Sequence, residues 1–208
     1  MGKLARNLSL VSGFTILSRL LGLLRDILFF SFFGSSAIAS AFILAFTLPN
    51  LFRRMLGEGT LSSAFIPVYS ESLQQDGLSS ANRILNQVLS RLFILLLCLS
   101  ALVCGLSALG GSALFSEKKW LEGAFLNSIV FPYVLFICLS AILVGALNTH
   151  RSFFAGAFSP IILNFMMIGS LVAGKWVFDL DGMELAMALG WGVVAGGVFQ
   201  LLMPAWQL

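Results

Sequence analysis

Two arginines and an aspartate interrupt an otherwise oily run. In SRLLGLLRD, residues 18–26, Arg19, Arg25 and Asp26 sit inside an apolar stretch that extends from Leu8 to Phe33. Arg19 lies 11 residues past Leu8, roughly 16 Å along a helix and about half of a ~30 Å hydrocarbon core. A central arginine costs roughly 2.5–3.5 kcal/mol on insertion scales, so it must face protein, water or an anion. Ser18 and Arg25 are seven residues apart, as are Arg19 and Asp26, which places each pair on nearly one helical face, two turns apart. Gly22 falls between Arg19 and Asp26 on their stripe and is expected to leave that face open for a bulky group.

A second cluster follows in LPNLFRRMLGEG, which supplies Asn50, Arg53, Arg54 and Glu58. Arg53 or Arg54 alone reads equally well as a cytoplasmic anchor at a helix end. Together with Arg19 and Arg25 they predict a cationic pocket between two neighbouring helices. Guanidinium forks bind phosphate oxygens bidentately and stay charged inside a membrane, which suits a diphosphate head group. The competing arrangement is an internal ion-pair network in which Asp26 neutralises one arginine, although one acid against two arginines leaves a positive charge over. The chain has no acid pair, no nucleophile with a base, no metal-ligand cluster and no glycine-rich phosphate loop, so neither an enzyme nor a cofactor is expected. Cys98, Cys104 and Cys138 lie in apolar runs without CxxC spacing and read as small hydrophobes. His150 is the single histidine, a poor metal ligand on its own.

These side chains need apolar helices to position them. Of 208 residues, 59% are hydrophobic and 10% charged, with a mean hydropathy of +0.99, a composition that excludes an ordinary soluble domain. Lys3 and Arg6 precede the first apolar stretch as in a signal peptide, but that stretch is too long for one and is read as a retained helix. The net charge of +3 is dispersed over helix ends, so no nucleic-acid partner is expected. Six stretches are long enough to span a bilayer, at about 8–33, 37–56, 84–109, 124–149, 155–178 and 184–206. Residues 57–83 read as a cytoplasmic loop with a short amphipathic piece in TLSSAFIPVYSESL. Lys3, Arg6, Arg53, Arg54, Arg83, Arg91 and Arg151 fall on one side, and Lys118, Lys119 and Lys175 on the other. That imbalance puts both termini in the cytoplasm. Ala188, Gly192 and Gly196 recur every four positions and predict a close helix–helix contact. Pro49, Pro132 and Pro160 are expected to bend their helices.

The stretches SRLLGLLRD, FGSSAIASAFILAFTLPNLFRRMLGEGTLSSAFIPVYSE and FPYVLFICLSAILVGALNTHRSFFAGAFSPIILNFMMIG resemble the N-terminal half of the MurJ (MviN) lipid II flippases, members of the MOP exporter superfamily to which the MATE exporters belong. The resemblance covers essentially the whole chain. It implies an all-α polytopic membrane protein, one six-helix lobe of a two-lobed alternating-access transporter with a cationic central cavity. The implied substrate is undecaprenyl-diphosphate-linked disaccharide peptide, moved from the inner to the outer leaflet of the bacterial inner membrane. By position, the family's first-helix cavity arginines fall on Arg19 and Arg25, its second-helix arginine on Arg53 with Arg54 beside it, and its loop glutamate on Glu58. Ser40 stands where many members have an aspartate. The implied partners are lipid II or a related polyprenyl-diphosphate glycolipid, membrane lipids and a C-terminal lobe supplied by the same gene or by a second chain.

Other readings remain open at this level. A flippase for another polyprenyl-diphosphate-linked glycan fits the diphosphate logic equally. A MATE-type drug exporter fits less well, because cationic drugs prefer acidic or aromatic cavities. A structural or assembly subunit without transport would pair Arg19 and Arg25 internally.

Overall fold

The computed structural model describes the backbone of residues 2–57, 60–114 and 118–208, and the side chains at 10–55, 63–107 and 120–208. Every regular element among these residues is helical: α1 (Gly2–Phe33), α2 (Ala37–Phe52) running into a π-helical turn (Arg53–Gly57), α3 (Thr60–Gln75), α4 (Leu78–Leu114), α5 (Lys118–Val130), α6 (Tyr133–Thr149), α7 (Phe154–Trp176) and α8 (Gly182–Gln207). The Leu78–Ser107 part of α4, α7 and α8 are each long and apolar enough to cross a membrane, and α5 with α6 forms a fourth candidate span bent by 42°. The other two expected spans fall on α1, which carries Arg19, Arg25 and Asp26, and on α2, whose 16 residues end at the π turn.

Prolines explain where helices bend and how the bends are tolerated. The helix expected over 124–149 breaks at Phe131–Pro132. Pro132 cannot donate to the carbonyl of Ser128, and that oxygen accepts from the Cys104 thiol at 3.3 Å instead. Pro204 likewise leaves the carbonyl of Gln200 without its helical donor, and Ser140 Oγ of α6 donates to it at 2.7 Å. Neighbouring hydroxyls that take up such freed carbonyls are what lets proline persist in membrane helices.

Residues 57–83, expected as a loop with a short amphipathic piece, contain the whole of α3 and the start of α4. Phe65, Tyr69 and Ser72, at helical spacing, are buried on one stripe of α3. Gly145 of α6 approaches Phe65 and Ile66 closely enough that a Cβ there would meet Ile66 Cγ1 at 3.4 Å. Tyr69 is fully buried, which raises its phenol pKa by desolvation, and its hydroxyl lies 3.1 Å from His150 Nε2. Beyond the turn at Gly77, which takes a φ of 82° that glycine adopts readily, α4 runs for 37 residues, about 55 Å at ~1.5 Å per residue. That exceeds a ~30 Å hydrocarbon core, so its polar start, with Arg83 and Arg91, projects past one bilayer face.

The contact predicted from Ala188, Gly192 and Gly196 forms between α7 and α8. A Cβ on Gly192 would overlap Ser170 Oγ, and one on Gly196 would lie 3.1 Å from Leu163 Cδ1. Glycine is required there because helix backbones meet where side chains would otherwise stand. Gly190 and Gly197 do the same on the opposite side of α8, against Ile129 and Val130 of α5 and Tyr133 and Phe136 of α6. The core therefore sits around α6 and α8, with α1 held at the edge mainly by α7. On its other face α1 leaves Leu20, Leu23, Leu24 and Ile27 exposed.

Candidate functional site

A cavity of about 670 Å³ opens between α1, α2, α6, α7 and α8, within the ~300–1,000 Å³ typical of small-molecule sites. Arg25, Asn50 and Arg53 line it on the α1–α2 side, and Ser140, Asn148, Ser159, Asn164 and Gln200 supply most of its remaining polar wall. Its lining contains two arginines and no carboxylate among the described residues. A smaller hollow of about 280 Å³ adjoins it and shares Arg25, Phe46 and Asn50; Asp26 lines this one.

Arg25 is held from two sides. Its Nε and Nη2 donate to Asp26 Oδ1 at 2.9 and 2.7 Å, and its Nη1 donates to Asn164 Oδ1 at 2.9 Å. Asp26 is thus the internal counter-ion that the sequence allowed for. The pair is unequally covered, with side-chain exposures of 24% for Arg25 and 54% for Asp26. Its Nη1 also donates to Met167 Sδ at 4.0 Å; a guanidinium has five N–H donors, so these four contacts leave one for a ligand. Asn164 also donates through Nδ2 to the backbone carbonyl of Ser18 at 3.1 Å. Ser18 and Arg25, seven residues apart, therefore meet one side chain of α7.

Arg53 is placed by its own helix end. Its Nε donates to Asn50 Oδ1 at 3.1 Å, one turn back, and the π turn begins at Arg53 itself. The wider winding of a π turn redirects side chains locally and recurs at functional sites. Asn50 is thereby a holder of Arg53 as well as a lining residue.

The remaining candidates fall elsewhere. Arg19 is exposed, on the face it shares with Asp26, and lies outside the cavity lining. Arg54 is exposed and also outside it. The open space expected over Gly22 is taken by Asn164, whose Nδ2 would be 3.7 Å from a Cβ on that glycine. Glu58 lies outside the described residues. Ser40 donates to the carbonyl of Ser36 at 3.3 Å, a local bond within the first turn of α2.

A family profile described as "Lipid II flippase MurJ" matches residues 29–208. The chain belongs to this family. It is 37% identical over 205 residues to "Lipid II flippase MurJ" of Burkholderia cenocepacia, covering 96% of this chain and 39% of that protein. With "Probable lipid II flippase MurJ" of Rhizobium meliloti it shares 33% identity over 204 residues, covering 95% of this chain and 38% of the relative. A solved structure, "Lipid II flippase MurJ, inward closed conformation", superposes with a TM-score of 0.77 at 28% identity, covering 96% of this chain and 41% of that one. The chain thus spans about two-fifths of the length of the MurJ relatives it matches, corresponding to their N-terminal part, and it is a multi-pass membrane protein.

Within this MurJ fold, the polar wall opposite the arginines is what sequence reasoning missed. Gln200 Nε2 donates to the Ser159 carbonyl at 2.7 Å and to Ser159 Oγ at 2.9 Å, while its own carbonyl accepts from Ser140. One glutamine thereby ties α6, α7 and α8 together, one residue from Pro160 and four from Pro204. The signal was present: Asn164 in SPIILNFMMIG and Gln200 in GGVFQLLMP are polar residues inside apolar helices. The cost argument applied to Arg19 applies to them in weaker form.

Proposed function

We propose that this chain is the N-terminal lobe of a lipid II flippase, in which Arg25 and Arg53 grip the diphosphate of a polyprenyl-linked glycan. The observation that carries this reading is the cavity that both arginines line without a lining carboxylate. Arg25 keeps one N–H group uncommitted, enough for one charge-assisted bond to a phosphate oxygen, and the cavity lining brings no carboxylate to oppose the diphosphate. Arg19, exposed on α1, is assigned to the surface that a second lobe would cover. Arg54 is assigned to the helix end that carries Arg53.

In this mechanism no bond is made or broken. The head group enters from the cytoplasmic side, the prenyl tail stays in lipid, and rocking of the two lobes exposes the cavity to the other face. Motion of one unit charge through the membrane field supplies ~2.3 kcal/mol per 100 mV, so an ion gradient or the potential suffices as the energy source. Both termini are assigned to the cytoplasm of a bacterial inner membrane, with the Arg53–Arg54 turn and Arg151 on that side and Lys175, Asp179 and Asp181 opposite.

The test is a chimera in which these 208 residues replace the matching segment of a MurJ relative. Arg25→Ala and Arg53→Ala should abolish lipid II translocation while the chimera still inserts, a loss far beyond any fall in its amount or melting temperature; undiminished translocation would refute the assignment. The Arg25–Asp26–Asn164 cluster favours a second reading, a purely structural strut. In that case Arg25→Ala lowers expression and melting temperature, and translocation falls only in proportion. Single cysteines at Ser152 and Asp179 test the orientation, since an impermeant thiol reagent applied from outside should label only the second.

A further inference from the structure

The cavity is larger than a diphosphate needs, and its second wall is chemically unlike its first. Opposite the arginines stand Asn148, Ser159 and Gln200, none of them charged. Each has hydrogen-bonding capacity left over. The Asn148 amide makes no side-chain hydrogen bond among the described residues, and Ser159 Oγ accepts from Gln200 while its own O–H has no acceptor there. Gln200 is only 2% exposed, yet its Oε1 has no hydrogen-bond partner. An unpartnered buried oxygen of this kind costs roughly 1–3 kcal/mol, and the residue that carries it lines the cavity.

The geometry points to a saccharide subsite on the α6–α7–α8 wall, where Asn148, Ser159 and Gln200 read the hydroxyl and acetamido groups of the first sugars attached to the diphosphate. An amide that both donates and accepts, a hydroxyl donor and an amide-oxygen acceptor, with the aromatic faces of Tyr133 and Phe46 in the same lining, match a sugar's mixed donors, acceptors and apolar ring faces. They offer nothing to an ion: the wall has no acid for a cation and no positive charge for an anion. The sugar is favoured over a peptide stem because it is bonded directly to the diphosphate, so a head group held by Arg25 and Arg53 presents its sugar first. This inference rests on the diphosphate reading above.

Asn148 is the residue to change, because it supports nothing else, whereas Gln200 holds three helices. The full chain in lipid nanodiscs is titrated with undecaprenyl diphosphate, with the same lipid bearing a disaccharide, and with the disaccharide lipid bearing its peptide. The native chain should bind the disaccharide lipid about tenfold more tightly than the bare diphosphate, the increment of one or two good hydrogen bonds. Asn148→Leu should remove that preference while affinity for the bare diphosphate stays unchanged, and Asn148→Gln should restore part of it. Ser159→Ala, made alone, should reduce the preference. Equal binding of bare and glycosylated lipid by the native chain, or a preference that survives Asn148→Leu, overturns the saccharide subsite and leaves the diphosphate reading intact. A preference that emerges only with the peptide attached overturns it in favour of a peptide contact. Arg53→Ala weakens all three lipids alike if the diphosphate reading holds; if bare-lipid binding is unaffected by Arg53→Ala and Arg25→Ala, that reading fails by itself. Binding of none of the lipids overturns both.

Discussion

Asn164→Leu is the most informative single change, because Asn164 is 7% exposed and holds α1 to α7 by two bonds of different kinds. Loss of the bond to the Ser18 carbonyl costs about 1 kcal/mol, and loss of the bond from the Arg25 guanidinium about 1.5–3 kcal/mol. A buried leucine of similar size returns part of this through apolar burial, about 1.5–3 kcal/mol at most, so the net destabilisation is about 1–2 kcal/mol. For a chain of this length that lowers the melting temperature by about 2–8 °C. Diphosphate affinity also falls, because Arg25 keeps only its Asp26 pair and a weak 4.0 Å contact to Met167 Sδ and must be reordered on binding. Immobilising one long side chain costs about 0.5–1.5 kcal/mol, equivalent to roughly 2- to 10-fold weaker binding. Tryptophan-fluorescence melting and a titration with undecaprenyl diphosphate read the two effects separately. Asn164→Asp separates them further, since it preserves the Arg25 bond but adds a second carboxylate, so the fold is retained while binding drops more than in the leucine variant. Native melting and native affinity in Asn164→Leu would refute the claim that Asn164 positions Arg25.

Three further outcomes are expected. Asp26→Asn releases Arg25 Nε and Nη2 from a carboxylate that now engages both; diphosphate binding should tighten roughly 3- to 10-fold, whereas the melting temperature should move little, because a partly exposed ion pair contributes only about 0.2–1 kcal/mol. Arg53→Lys should weaken diphosphate binding more than Arg54→Lys, since an ammonium cannot reproduce a fork and only Arg53 lines the cavity; equal tolerance in the same titration would reduce Arg53 to a topology anchor. Gly192→Ala forces a methyl onto Ser170, an overpacking that costs about 1–3 kcal/mol, and the melting loss should be relieved in the double variant Gly192→Ala with Ser170→Gly.

Much of the outcome was legible residue by residue. The seven-residue spacing of Ser18 and Arg25 correctly put both toward one neighbour, since helical periodicity is local. The every-fourth stripe Ala188–Gly192–Gly196 announced a close contact because absent side chains leave only one use for that face. Less legible was the fate of residues 57–83, where polar composition suggested a loop but Phe65, Tyr69 and Ser72 formed a buried stripe once α6 was there to receive it. Pro132 marked a bend, while which hydroxyl or thiol would take up the carbonyls freed at Pro132 and Pro204 depended on neighbours more than 20 residues away in the chain.

Composition and period alone, then, determined an all-helical multi-pass membrane protein with cationic groups inside a largely apolar first helix, because the hydrophobic effect acts on each segment independently. Tertiary structure decided which cations share a cavity. Arg25 and Arg53 converge through Asn164 and Asn50, whereas Arg19, one turn and a half from Arg25 on the same helix, is turned to another face. That choice rests on how α1 is rotated against α7, and rotation is fixed by pairwise contacts between helices that no single segment encodes.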